Sequence, residues 1–84
     1  MIKIFSVFDK KALAYMQPFY FANKGEAIRA LEDITNDSGS RINKHPADFS
    51  LWILGEYDDK TGSIKPLDKP QFLEEAANTL KKVN

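Results

Sequence analysis

The run Phe49 to Tyr57, FSLWILGEY, constrains this chain more than any other stretch. Its β-branched and aromatic residues mark a strand, and the same holds for IKIFSVF from Ile2 to Phe8. An antiparallel strand with one wet face alternates apolar and polar residues. Neither of these does. With strict alternation, Phe49, Leu51, Ile53 and Tyr57 share one face of the first run, and Ser50, Trp52, Leu54 and Glu56 share the other. In the N-terminal run, Ile2, Ile4 and Phe8 oppose Lys3, Phe5 and Val7. Both faces of the resulting sheet therefore need cover, and three things can supply it on the second face: a C-terminal helix, another subunit or a ligand.

The remaining elements fall around these two strands. Asp9-Lys10-Lys11 turns the chain into a second apolar run, Ala14 to Phe21, which pairs back as a hairpin. Pro18 donates no ladder hydrogen bond, so this strand lies at an edge, bends or ends there. Asn23-Lys24-Gly25-Glu26 has the form of a capping box, opening a helix to about Thr35 with Ala27, Ile28, Leu31 and Ile34 on one face. Turn-prone residues from Asn36 to Ser40 stop it, and a long loop runs to about Asp48. Asp58 to Gly62 closes a hairpin whose returning strand, Ser63 to Lys65, ends at Pro66. Asp68 caps a final amphipathic helix with Pro70 in its first turn and Phe72, Leu73, Ala76, Ala77, Leu80 and Val83 along one arc. The expected fold is α+β: one domain over residues 1–84, with a ββαββ core at 1–66, an antiparallel sheet of about four strands, and a C-terminal helix at 68–83.

Size bears on what else this chain needs. Eighty-four residues hold one small core, and ten aromatics supply much of its burial area. Small domains are often supplemented by disulfides, a metal or a partner subunit. Cysteine is absent, which excludes disulfides and thiolate metal sites and leaves a homodimer as the open option. The opening MIKIFSVFDKK is too short in apolar residues and too charged for a signal peptide, and no stretch is apolar enough to span a membrane. A cytoplasmic protein is expected.

Catalytic signatures are missing. His45 is the only histidine; Ser40 or Ser50 with Asp48 would complete a triad, but no G-x-S-x-G elbow surrounds either serine. One His without Cys makes a poor zinc site. His45, Pro46 and Asp48 read instead as a structural latch between the loop and the strand. Asp58 to Gly62 lacks the alternating oxygen ligands of a calcium loop, and four glycines form no phosphate cradle. Neither an enzymatic activity nor a cofactor is expected.

The charges cancel, twelve basic against twelve acidic, but unevenly: residues 1–31 carry five basic and two acidic residues, 32–59 two and seven, 60–84 five and three. A broad basic surface is excluded and a local basic patch is not. Arg29 neighbours Glu26, Glu32 and Asp33 at helical spacing and is expected to pair with them. Were nucleic acid the partner, Lys3, Lys10, Lys11, Arg41, Lys44 and Lys65 would be the candidate phosphate contacts, with Lys81 and Lys82 adding charge from the tail.

One ordered set of residues points to a family. Phe8-Asp9, Pro18-Phe19, Ala27-Ile28-Arg29, Asn36-Asp37, Asn43-x-His45-Pro46-x-Asp48-Phe49, Leu51, Gly55, Asp58-Asp59 and Gly62 together resemble the small non-structural protein of gokushoviruses, microviruses with circular single-stranded DNA genomes. The resemblance spans residues 1 to about 66 and is most specific from Asn43 to Gly62. It implies a bacteriophage protein made in the cytoplasm of the infected bacterial host and absent from the virion. It also implies DNA binding, with single-stranded DNA the expected form, in genome replication or in the switch to single-strand synthesis and packaging. Trp52 or an exposed Tyr would then stack on bases. A second reading is a protein-interaction module that engages a host or phage replication protein through an apolar sheet face or edge.

Overall fold

A computed structural model describes residues 1–81. Strand β1 (Ile2–Asp9) lies inside an antiparallel sheet, with β2 (Ala14–Tyr15) and β3 (Phe19–Phe21) sharing one of its edges. On its other side lies β4 (Phe49–Asp58), and β5 (Ser63–Glu75) pairs with β4 as the outer strand. Helix α1 (Lys24–Thr35), the single turn α2 (Arg41–Lys44), a 3-10 turn (Pro46–Asp48) and α3 (Ala76–Thr79) complete the fold. It is the α+β architecture expected from the sequence, with a C-terminal helix. Among the described residues no helix is long and apolar enough to cross a membrane.

The break between β2 and β3 falls at Met16-Gln17-Pro18, where proline removes a donor from the edge. The Met16 N–H still donates to the Val7 carbonyl (2.8 Å), and the buried Ser6 hydroxyl donates to the Met16 carbonyl (2.6 Å). The turn from β1 into β2 places Leu13 at φ 57°, a left-handed conformation that costs a side-chain-bearing residue roughly 1–2 kcal/mol. Helix α1 begins where the Asn23 side chain accepts from the Glu26 N–H at 2.9 Å. Its Ala27 and Leu31 pack with Phe5, Val7, Phe49, Leu51 and Ile53 of the sheet, Ile42 of α2 and Ala76 of α3. The three α-helical elements thus contribute to a single core on one face.

The segment from Asn36 to Asp48 is built rather than loose. Ser40 caps α2, accepting from the Asn43 N–H, and the Asn43 amide donates to the Thr35 carbonyl (2.9 Å). The Asn36 amide donates to the Thr79 carbonyl (2.9 Å), and its oxygen accepts from the Lys81 N–H (2.8 Å). One asparagine thereby clasps α3 to the end of α1. His45 closes α2 through its N–H to the Arg41 carbonyl, its own carbonyl accepts from Asp48, and the Asp48 carbonyl accepts from Lys10. These contacts are made by backbone groups, with His45 exposed.

Two expectations are corrected at the C-terminal end. The returning strand does not end at Pro66, and residues 68–75 are strand rather than helix. Prolines are tolerated because β5 is an edge strand, and the ladder detours around them: Ile53 pairs with Gln71 and Gly55 with Pro66, so residues 67–70 bulge outward. The apolar spacing of Phe72, Leu73 and Ala76 fits a helical arc, yet Phe72 is a cross-strand partner of Trp52 and the helix starts only at Ala76. Val83 and Lys82 lie outside the described residues. At Gly55 the neighbouring backbone leaves no room for a side chain; a Cβ there would stand 2.5 Å from the Lys65 carbonyl oxygen. Gly62, at φ +76°, completes the β4–β5 turn, and the Lys60 N–H, 3.0 Å from the Asp58 carboxylate, holds that carboxyl below its usual range.

Candidate functional site

A second bulge decides which side chains the helices leave uncovered. Between Ile4↔Gly55 and Phe5↔Ile53, β4 carries one extra residue, Leu54, against β1. Strict alternation therefore fails along β4. Phe49, Leu51 and Ile53 face the helices, but Tyr57 pairs with Ile2 and turns to the opposite face, correcting the expected grouping of Tyr57 with the other three. On β1 the expected split holds, since Phe5 and Val7 enter the core cluster and Ile2, Ile4 and Phe8 do not.

The face opposite the helices is thereby aromatic across four strands. Phe8 lies 4.9 Å from Tyr15, Tyr15 lies 6.3 Å from Trp52 and Trp52 lies 5.6 Å from Phe72, centroid to centroid. The rings form one row from Phe8 on β1 through Tyr15 on β2, which reaches across to Trp52 on β4, and on to Phe72 on β5. Each contact is tilted or edge-to-face, as aromatic quadrupoles prefer. The indole N–H donates to the Ser50 hydroxyl at 2.8 Å, which fixes the Trp52 ring and satisfies its donor. Tyr15 is 40% and Phe72 47% exposed. Towards the other end of the same face, Ile2, Tyr20, Tyr57 and Ile64 line a hollow of about 420 Å³. Among the described residues no helix covers either end, because α3 packs against α1 and the 3-10 turn on the opposite side. The C-terminal helix is thus not the cover for the second face.

Polar candidates lie around this face rather than on it. Lys3 pairs with Glu56 at 3.8 Å, on the helix side of the β4–β5 arm, and Lys65 is the cross-strand neighbour of Glu56. Lys10 is held by Glu75 (2.8 Å) and the Ala47 carbonyl (3.3 Å). Lys11 and Arg41 line a small cleft with His45, Asp9, Asp48 and Phe49 at the Phe8 end of the sheet. Lys44 is exposed on α2. Among the described residues Lys11, Arg41 and Lys44 form no ion pair, and neither does Arg29, whose expected acidic partners do not reach it. Lys81 pairs with Glu32 at 3.4 Å. The structure thus brings Lys11 and Arg41 together, keeps Lys3 and Lys65 at a distance from them, and sets Trp52 in the middle of the aromatic row.

Tyr15 and Phe72, which flank Trp52, were not singled out by the sequence. Tyr15 needed the hairpin register, Phe8↔Tyr15. Phe72 needed β5 to be recognised as strand past two prolines. A separate apolar groove of about 330 Å³, between β3 and α1, is lined by Phe19, Phe21, Ala30, Ile34 and Ile42 on the helix side. No group of three or more His, Asp or Glu side chains placed to hold a metal ion occurs among the described residues.

A family model described as Phage ORF5 protein matches residues 2–79. No curated protein and no solved structure matches the chain. With nearly its whole length matched, the chain belongs to the Phage ORF5 protein family and is a phage protein.

Proposed function

We propose that this phage protein is a non-enzymatic accessory factor that binds single-stranded DNA on the open sheet face, in the genome replication or strand packaging of a gokushovirus. One observation carries the reading: the row Phe8, Tyr15, Trp52 and Phe72 crosses all four strand positions on a face that no helix covers. Unpaired bases have two π-faces to stack, and each stack on an aromatic contributes about 1–3 kcal/mol with little regard to sequence. A duplex offers no such faces along its length, so the row favours single strands. Of the candidate phosphate contacts, Lys11, Arg41, Lys44 and Lys65 form no ion pair among the described residues, and Lys11 and Arg41 line the cleft at the Phe8 end of the sheet. Lys3 and Lys10 are occupied by carboxylates.

Binding should therefore be dominated by stacking and only moderately sensitive to salt. Titrating labelled single- and double-stranded oligonucleotides at about 50 and 200 mM salt tests this, because a protein neutralising many phosphates loses orders of magnitude over that range. The expected result is single-strand binding that falls about tenfold or less. Absence of single-strand binding at the lower salt would leave the apolar face to a protein partner and overturn the reading.

A further inference from the structure

We propose that a second copy of this chain covers the open face when no strand is bound, so that self-association and single-strand binding exclude each other. The exclusion rests on the reading above; the self-association does not. The face presents Tyr15, Tyr20, Trp52, Tyr57, Ile64 and Phe72, the carboxylate in register with it, Glu75 opposite Ser50, is paired with Lys10 at 2.8 Å, and the chain as a whole carries no net charge. An identical copy therefore meets no like-charge repulsion, and an isologous contact sets apolar surface against apolar surface.

Area favours the whole face over either end. A specific interface takes about 800 Å² from each partner, and the molecule's outline is 47 × 24 × 19 Å. Within that outline a contact of this size must spread over most of the sheet face, of which the hollow at Ile2, Tyr20, Tyr57 and Ile64 and the aromatic row are each only part. A copy docked stably on the hollow must extend over the row. Edge-on pairing is blocked on both sides. Pro18 interrupts one edge, and Pro66, Pro70 and the bulge at residues 67–70 interrupt the other. Face packing is what remains.

Ile64 separates the two activities. It is 63% exposed in the hollow and lies outside the aromatic row. Wild type and Ile64→Asp are compared by sedimentation velocity, alone and with a short oligothymidylate, after matched urea midpoints establish that both fold. Wild type alone should be a dimer and should become a monomer bound to one strand when the oligonucleotide is added. Ile64→Asp should be monomeric and bind the oligonucleotide more tightly than wild type. If a tenth of the wild type is monomeric at the working concentration, the gain is about tenfold. A wild type that stays monomeric at high concentration overturns the inference and leaves the DNA reading standing. A dimer that binds the strand without dissociating also overturns it. A dimer that binds no strand overturns the exclusion and the DNA reading together.

Discussion

The two faces of the sheet are built from similar residues and differ in what lies on them. On one, Phe5, Val7, Leu51 and Ile53 are all but fully buried beneath Ala27, Leu31, Ile42 and Ala76. On the other, Phe8, Tyr15, Trp52 and Phe72 touch one another and then solvent. Composition does not separate the faces; cover does. The covered face supplies stability, and the open face is the surface on which the proposed association would take place. A large exposed apolar patch on so small a domain is the kind that marks an interaction site.

That division can be broken by substitution. Leu51→Ala removes a side chain with no exposed surface and should cost about 2–5 kcal/mol of unfolding free energy. Phe72→Ala, across the sheet on the edge strand, should cost about 1 kcal/mol or less while weakening single-strand binding by about 1–3 kcal/mol. Urea titrations and binding isotherms on the two variants give both numbers, and equal losses of stability would erase the distinction between the faces.

Gly55 is the point where the division along β4 is made, next to the bulge that turns Tyr57 outward. Gly55→Ala forces a Cβ against the Lys65 carbonyl and should cost about 1–3 kcal/mol. The loss should centre on the β4–β5 arm, visible as faster amide exchange there than in α1. Uniform exchange would mean the arm has no independent strain. The smallest effect is a gain. Leu13→Gly relieves a left-handed leucine in an exposed turn and should raise stability by about 0.5–1 kcal/mol without altering binding.

Much of this architecture is legible in the sequence. The strands beginning at Ile2 and Phe49, the Asn23 cap, the Gly62 turn and the edge break at Pro18 each rest on a local chemical preference. The absence of clean alternation in the two inner strands announces that both faces are apolar. What stays hidden is non-local. The extra residue at Leu54 becomes visible only in the register against β1, and with it the side to which Tyr57 points. Pro66 and Pro70 read locally as strand breakers, and only their position on an outer edge makes them acceptable. Phe72 and Leu73 fit a helical arc as well as a strand, so the partner strand had to decide. Trp52 was legible as a candidate, while its neighbours Tyr15 and Phe72 depended on pairing. Asn36 and Asn43 read only as turn-prone or motif residues in the sequence, and each proves to be a side-chain clasp between helical segments.

Trp52 is the chain's single tryptophan and sits at the centre of the row, so its fluorescence reports directly on the open face. Titration with single-stranded oligothymidylate should quench that emission to saturation, and Phe72→Ala should shift the midpoint to higher concentration by roughly tenfold, within the range expected for one lost stack. Emission unchanged by saturating single strands, with the folded state intact, would contradict the claim that bases stack on this face.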